Sequence, residues 1–235
     1  MAVHARGLLS TLLTGEGTAR PFIASEAPTT SISDASEAGD DPLLRARLDA
    51  LCAEGWAIWD AFDRDVRERT FHAFVAADYG VVREALLKYR ATGPRFLEWG
   101  SASGVITIMA DLLGLEACGI EIDDSLVAMS RDLARRFESR ATFAAGSFLP
   151  TGYEWQNRDG DRRTGTLGSG PSGYLQLGRA LDDFDIVYGF PWEGEEALML
   201  DVMKRYGRPG ALLLLHGVNT GVTPYRDGRA LSRVP

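Results

Sequence analysis

Cysteine is scarce in this chain, long apolar runs are absent, and positive charge is outnumbered. The two cysteines, Cys52 and Cys118, form no CxxC pair and no disulfide framework. Two free thiols in a reducing compartment are expected, hence a cytoplasmic location and no thiol-based metal site. No stretch reaches the ~18 apolar residues of a transmembrane helix, so no membrane partner is expected. The run Leu8-Leu9-Ser10-Thr11-Leu12-Leu13 after Arg6 is short for a signal-peptide core and lacks a small-residue cleavage site. Lys and Arg number 25 against 33 Asp and Glu, a formal net charge of -8. That balance disfavours a nucleic-acid partner, which needs cations to displace phosphate counterions. It leaves room for a basic partner. No internal repeat is present.

What remains is an ordinary soluble composition in 235 residues, 45% hydrophobic. Residues 1–41 are rich in Ala, Ser, Thr and Gly with few large apolar groups, and read as a disordered tail. Asp41-Pro42 has the form of an N-cap followed by proline at the first helical position. Apolar residues at helical spacing follow, and a second helical segment covers residues 80–89, so residues 42–92 form an N-terminal helical cap. From residue 93 to residue 235 short apolar runs alternate with helical stretches. Strands are expected at residues 95–98, 116–122, 141–145, 184–189 and 211–216, and helices at 105–113, 124–138 and 195–206. The fold class is α/β, a doubly wound and mostly parallel sheet. A glycine-rich insert, residues 151–182, separates the third and fourth strands and is expected to form a flap beside a ligand.

The first strand empties into Glu98-Trp99-Gly100-Ser101-Ala102-Ser103-Gly104. A strand ending in a small-residue turn before a helix presents backbone N–H groups to a ligand. A carboxylate at Glu98 is wrong for a phosphate and right for a cation. Seventeen residues after Gly104 stands Glu121, at the tip of the second strand, where ribose hydroxyls are bound in nucleoside-binding sheets. The third strand ends in Gly146-Ser147-Phe148. The fourth runs from Asp185 into Tyr188-Gly189-Phe190-Pro191-Trp192, and Pro209-Gly210 precedes the fifth.

In that order and spacing, the chain resembles the class I, Rossmann-like S-adenosylmethionine (SAM)-dependent methyltransferases over about residues 78–217. Their acid-x-Gly-x-Gly-x-Gly motif appears as Glu98-x-Gly100-x-Ala102-x-Gly104. Their third-strand Gly-Asp appears as Gly146-Ser147. The resemblance implies that Glu98 and the loop Gly100, Ser101, Ala102 and Gly104 hold the methionine part of S-adenosyl-L-methionine. It implies that Glu121 takes the ribose hydroxyls, that Ile122 packs on the adenine, and that Ser147 with the Phe148 N–H meets the adenine edge. Ala102 suits the loop if it keeps an ordinary backbone angle. Tyr79 sits where such enzymes often carry a lid.

The methyl acceptor is expected against the loop after the fourth strand. Phe190-Pro191-Trp192-Glu193 departs from the Asn/Asp-Pro-Pro-aromatic pattern of base-methylating relatives. Glu193, Glu195 and Glu196 suit a cationic acceptor such as a protein side chain or small amine, with Tyr188 and Trp192 boxing the charge. The alternative for the glutamates is the acidic first turn of a helix. His72 and His216 are candidate bases. Tyr79, Tyr188, Trp192 and Glu193 thus form the expected catalytic set. A SAM-binding module without activity is the alternative function. A nicotinamide-dependent dehydrogenase is disfavoured, because the G-x-G-x-x-G spacing fails at Ala102 and Val105. After Gly217 only 18 residues remain, too few for the family's last helix and two strands. Asp227-Gly228 suits a two-residue turn, so a short hairpin is expected in their place, with a monomer or weak homodimer.

Overall fold

The computed structural model describes residues 41–68, 72, 74–154, 170–192 and 194–231. All of these lie in one compact unit. The expected tail therefore lies outside the described residues, as do Glu193 and the middle of the insert.

Helix α1, Pro42–Phe62, starts where the Asp41 carboxylate accepts the Leu43 N–H at 2.9 Å. It runs on into a turn of π-helix, Asp63–Arg67. Helix α2, Tyr79–Tyr89, is capped in the same way by Asp78, which accepts from Val81. Then follow β1 (Arg95–Trp99), α3 (Val105–Leu112), β2 (Glu116–Glu121), α4 (Asp124–Arg136) and β3 (Thr142–Ala145). A short α5 (Tyr174–Leu177) precedes β4 (Ile186–Gly189), α6 (Glu195–Tyr206) and β5 (Leu212–Gly217). The chain closes with β6 (Gly221–Arg226) and β7 (Arg229–Ala230).

The seven strands form one sheet in the order β3-β2-β1-β4-β5-β6-β7. The first five are parallel, and β6 and β7 are antiparallel additions. The order reverses at β1, whose neighbours are β2 and β4, so a crevice opens beyond its carboxyl end. Side chains alternate between the two faces. Phe96, Ala117, Ile186 and Leu212 pack toward α1, α2, α3 and α4. Leu97, Cys118, Val187 and Leu213 pack toward α5 and α6.

The expected sheet is present, with strand and helix ends moved by one or two residues. The terminal hairpin is also present. Asp227 and Gly228 have φ of 50° and 74°, the positive values that a two-residue turn between right-twisted strands demands. β6 pairs along the whole of β5 and covers its edge.

The far end of the insert departs from a flap. Ser172 bridges to Ser147, and the buried Tyr174 accepts the Trp99 indole N–H at 2.8 Å. Residues 170–182 are thus sheet-covering structure. The reason is local: Trp99 is 2% exposed, and its buried N–H requires a partner. Among the described residues no helix is long and apolar enough to cross a membrane.

Candidate active site

A cavity of about 600 Å³ lies at the carboxyl ends of β1, β2 and β4, within the range of small-molecule sites. Its walls include Glu98, the 100–103 loop, Ile120 to Asp123, Gly146 and Phe148. They also include Tyr79, Tyr188, Phe190 and Trp192, with Tyr188 beside Glu98 in the register of β4 on β1. The topology thus brings together the expected Glu98, Gly100, Ser101, Ala102, Glu121, Ile122, Gly146 and Phe148, and with them Tyr79, Tyr188 and Trp192.

The loop after β1 is tightly wound. The N–H groups of Gly100 and Ser101 both donate to the Ile120 carbonyl, at 2.9 and 3.0 Å. Gly104, at φ 82°, starts α3 beside Ser130 and Phe143, where a Cβ would lie 2.6 and 2.8 Å from their side chains. It serves helix packing, and it is absent from the cavity wall. Ala102 does not keep an ordinary angle. Its φ is 44°, in the left-handed region that L-residues other than glycine occupy at a cost. Its N–H donates to Glu121 Oε2 at 2.8 Å, and this bond holds the conformation.

Glu121 is 8% exposed, and its other oxygen accepts the Asp123 N–H at 3.0 Å. Burial raises its pKa, and the backbone donors pull it back. A carboxylate has about four lone-pair directions, so acceptor capacity remains for ligand hydroxyls. Glu98 is 3% exposed. Its Oε2 accepts from the Thr107 N–H at 2.9 Å and from the Thr107 hydroxyl. Burial pushes its pKa up to about 8, against relief from Thr107. Glu98 thus holds its proton to higher pH than an ordinary glutamate, and a cation beside it favours the charged form.

Ser147 is turned away from the cavity. Its N–H donates to the Pro171 carbonyl and its Oγ accepts the Leu149 N–H, so it is a turn residue joining β3 to the returning insert. The expected adenine-edge contact through its side chain is corrected accordingly. Phe148 does line the cavity and stacks on Trp99, with ring centroids 5.0 Å apart.

Tyr79 is buried at the start of α2, and the pKa of its phenol is raised by burial and by the nearby Glu98. Tyr188 does not offer a ring face to a cation. It is 1% exposed, packed in the sheet core, and hydrogen-bonded through its hydroxyl to His216 Nδ1 at 2.9 Å. Glu195 accepts the Trp192 N–H at 3.0 Å, and Glu196 accepts from the Tyr225 hydroxyl at 2.6 Å. Both glutamates therefore hold the start of α6 in place, the dipole-favoured alternative. The expected cation box loses Tyr188, Glu195 and Glu196. His72 accepts the Phe74 N–H on Nδ1, which leaves Nε2 to donate to Asp123 at 3.3 Å.

Sequence reasoning missed Val75 and Val218, which line the mouth and are 38% and 81% exposed. Both lie outside the helices and strands, where no periodicity marks them. Among the described residues no group of His, Cys, Asp and Glu is arranged to hold a metal.

No protein-family pattern and no curated protein matches the chain. Solved structures with a similar fold include an RNA methyltransferase from Salinibacter ruber in complex with S-adenosyl-L-homocysteine. It is 17% identical, with 60% of this chain and 76% of that one covered, at a TM-score of 0.44. A precorrin-6y C5,15-methyltransferase from Geobacter metallireducens GS-15 is 19% identical, with 63% and 69% covered and a TM-score of 0.42. A putative O-methyltransferase from Klebsiella pneumoniae is 20% identical, with 74% and 64% covered and a TM-score of 0.42. The three differ in what they are named for, so the likeness transfers no acceptor to this chain.

Proposed function

We propose that the protein is a class I SAM-dependent methyltransferase. The observation that carries the reading is the placement of Glu121. It is a nearly buried carboxylate at the tip of β2, held by the Ala102 and Asp123 N–H groups and facing the cavity. The residues present fit the ligand. Glu121 has acceptor capacity for two hydroxyls, Ile120 and Ile122 give an apolar wall for a base, and Glu98 supplies a carboxyl group that the ammonium of the methionine part would hold in its charged form. SAM brings its own electrophile, a methyl group on a sulfonium sulfur. This chain's residues orient the two reactants and exclude water, which is worth ~7–11 kcal/mol where alignment is good.

Calorimetry with SAM tests the reading. The wild type should bind, and Glu121→Ala should lose roughly 1.5–3 kcal/mol, about ten- to a hundredfold. A melting curve on the same variant separates loss of contact from loss of fold. Equal affinity for wild type and variant would sink the ribose assignment. A protein that binds SAM and transfers no methyl group to any acceptor would favour the inactive module.

A protein side chain or small amine as acceptor rested on three glutamates. Glu195 and Glu196 are committed within the fold, and Glu193 lies outside the described residues. The acceptor is therefore argued from the cavity wall instead.

A further inference from the structure

The part of the cavity away from Glu121 is apolar. Phe190, Pro191, Trp192 and Val218, which follow β4 and β5, line it; Glu98 stands beside Tyr188 in the sheet register, and the cofactor reading engages that carboxylate with the SAM amino group. Such a wall cannot replace the hydration of an ammonium or guanidinium group, whose burial without a partner is strongly unfavourable. Beneath it lies one polar device that the binding of SAM leaves unused. Tyr188, in the cavity wall, hydrogen-bonds His216 Nδ1 at 2.9 Å, and the Phe190 ring stacks on the His216 ring at 4.8 Å and 22°. His216 itself is 4% exposed and stands behind the wall.

We propose that the methyl acceptor is a neutral, largely apolar small molecule bearing a hydroxyl, bound against Phe190, Trp192 and Val218, whose proton leaves through the Tyr188 hydroxyl to His216. The inference rests on the methyltransferase reading. In the step, the acceptor oxygen forms its bond to the methyl carbon as the carbon–sulfur bond breaks. That bond's electron pair stays on sulfur, giving a neutral thioether. The acceptor's proton passes to the Tyr188 oxygen while the Tyr188 proton passes to His216 Nδ1, so the imidazole ends as the cation. Burial lowers the pKa of His216, so it is a neutral base at the outset. The groups facing it are Tyr188 from β4 and the Asp78 carboxylate before α2, which favours the charged form that develops. From β6 its partner is Val222, which carries no charge. Tyr188 would touch the acceptor. His216 acts through it and is a positioning and relay residue.

The test begins with binding. Calorimetry first establishes that the protein binds S-adenosylhomocysteine; if it does not, the methyltransferase reading fails and not this inference alone. The loaded protein is then titrated with 2-naphthol, with 2-naphthylmethylammonium as a cationic analogue of similar size, and with a lysine peptide. The neutral probe should bind, and Trp192→Ala and Val218→Asp should each weaken it at least tenfold. Val218 is so exposed that its variant should fold normally. Preference for either cation, or no binding of 2-naphthol at millimolar concentration, would overturn the proposal with the cofactor reading intact. Single-turnover methylation gives the second arm. His216→Gln should slow transfer to 2-naphthol by roughly 10²–10⁴-fold below the probe's own ionisation, with a smaller loss for the more acidic 4-nitrophenol. Equal losses with both probes would remove the proton relay.

Discussion

The backbone N–H of Ala102 donates to the Glu121 carboxylate at 2.8 Å, tying the loop after β1 to the tip of β2. The bond joins two elements that line the cavity with one contact. It also holds a non-glycine residue at φ 44°.

Ala102→Gly removes that backbone penalty and keeps the N–H. The expected gain is roughly 1 kcal/mol, less the greater freedom of glycine in the unfolded chain. For a chain of this size that is about 2–4 °C in melting temperature. A scanning melt of the two proteins decides it, and a lower value for the glycine variant would mean that the methyl group packs better than it strains.

Glu98→Gln should stabilise the protein in a pH-dependent way. The ordinary carboxyl value is 4.5 and the folded value about 8. Below 4.5 both folded and unfolded chains hold the proton, and nothing is lost. Between the two values only the folded chain holds it, so stability falls as pH rises, and above 8 the loss is complete. Glutamine has no proton to release and can still accept from Thr107. The variant's advantage should grow from pH 5 through pH 8, toward roughly 4–5 kcal/mol, and then level off. Urea midpoints measured at pH 5, 7 and 9 would show parallel behaviour of the two proteins if Glu98 were not the titrating group.

Ser101 Oγ is buried and makes no hydrogen bond within the protein. It lies over Gly119, where an added Cβ would be 2.7 Å from it. Ser101→Ala removes an unpaired hydroxyl, so about 1 kcal/mol of stabilisation is expected, with the loop conformation unchanged. Denaturant unfolding reads the difference. A destabilised variant would point to a bound water or ligand that the hydroxyl serves.

Removal of residues 221–235 should expose the whole outer edge of β5. Leu212 to Leu215 are buried, and an unpaired apolar edge recruits another chain. The truncated protein is expected to melt lower and to sediment as dimers or larger species. A stable, monomeric truncation would show that β6 and β7 are dispensable.

Much of the molecule was legible before the structure, wherever the cause is local. Asp41 caps α1 through a neighbouring N–H, and Asp227-Gly228 turns the hairpin by its own positive φ values. Glu98 and Glu121 were legible because strand ends in a doubly wound sheet point to one crevice. What escaped depends on residues far along the chain. Ser147 is engaged by Pro171 and Gly173, which no spacing around β3 announces. Tyr188 is buried because β1 and β5 flank β4, a fact of strand order. Glu195 suited either a cationic acceptor or the acidic first turn of a helix, and its bond to the Trp192 N–H decides for the turn. Ala102 looked harmless because a backbone angle leaves no mark on composition.

The hydrogen bond from Trp99 to Tyr174 spans 75 positions of sequence, and β1 pairs with β4 from Phe96 opposite Ile186 to Trp99 opposite Gly189. During synthesis β1 leaves the ribosome with neither partner available. Its indole N–H and its outer edge wait for the rest of β2, β3 and the insert to emerge. Closing such long loops precedes any reward from the contacts they make, which slows folding. The half-built sheet therefore carries an open central strand until β4 emerges, and the cavity, which needs residues as late as Val218, is among the last parts of the molecule to exist.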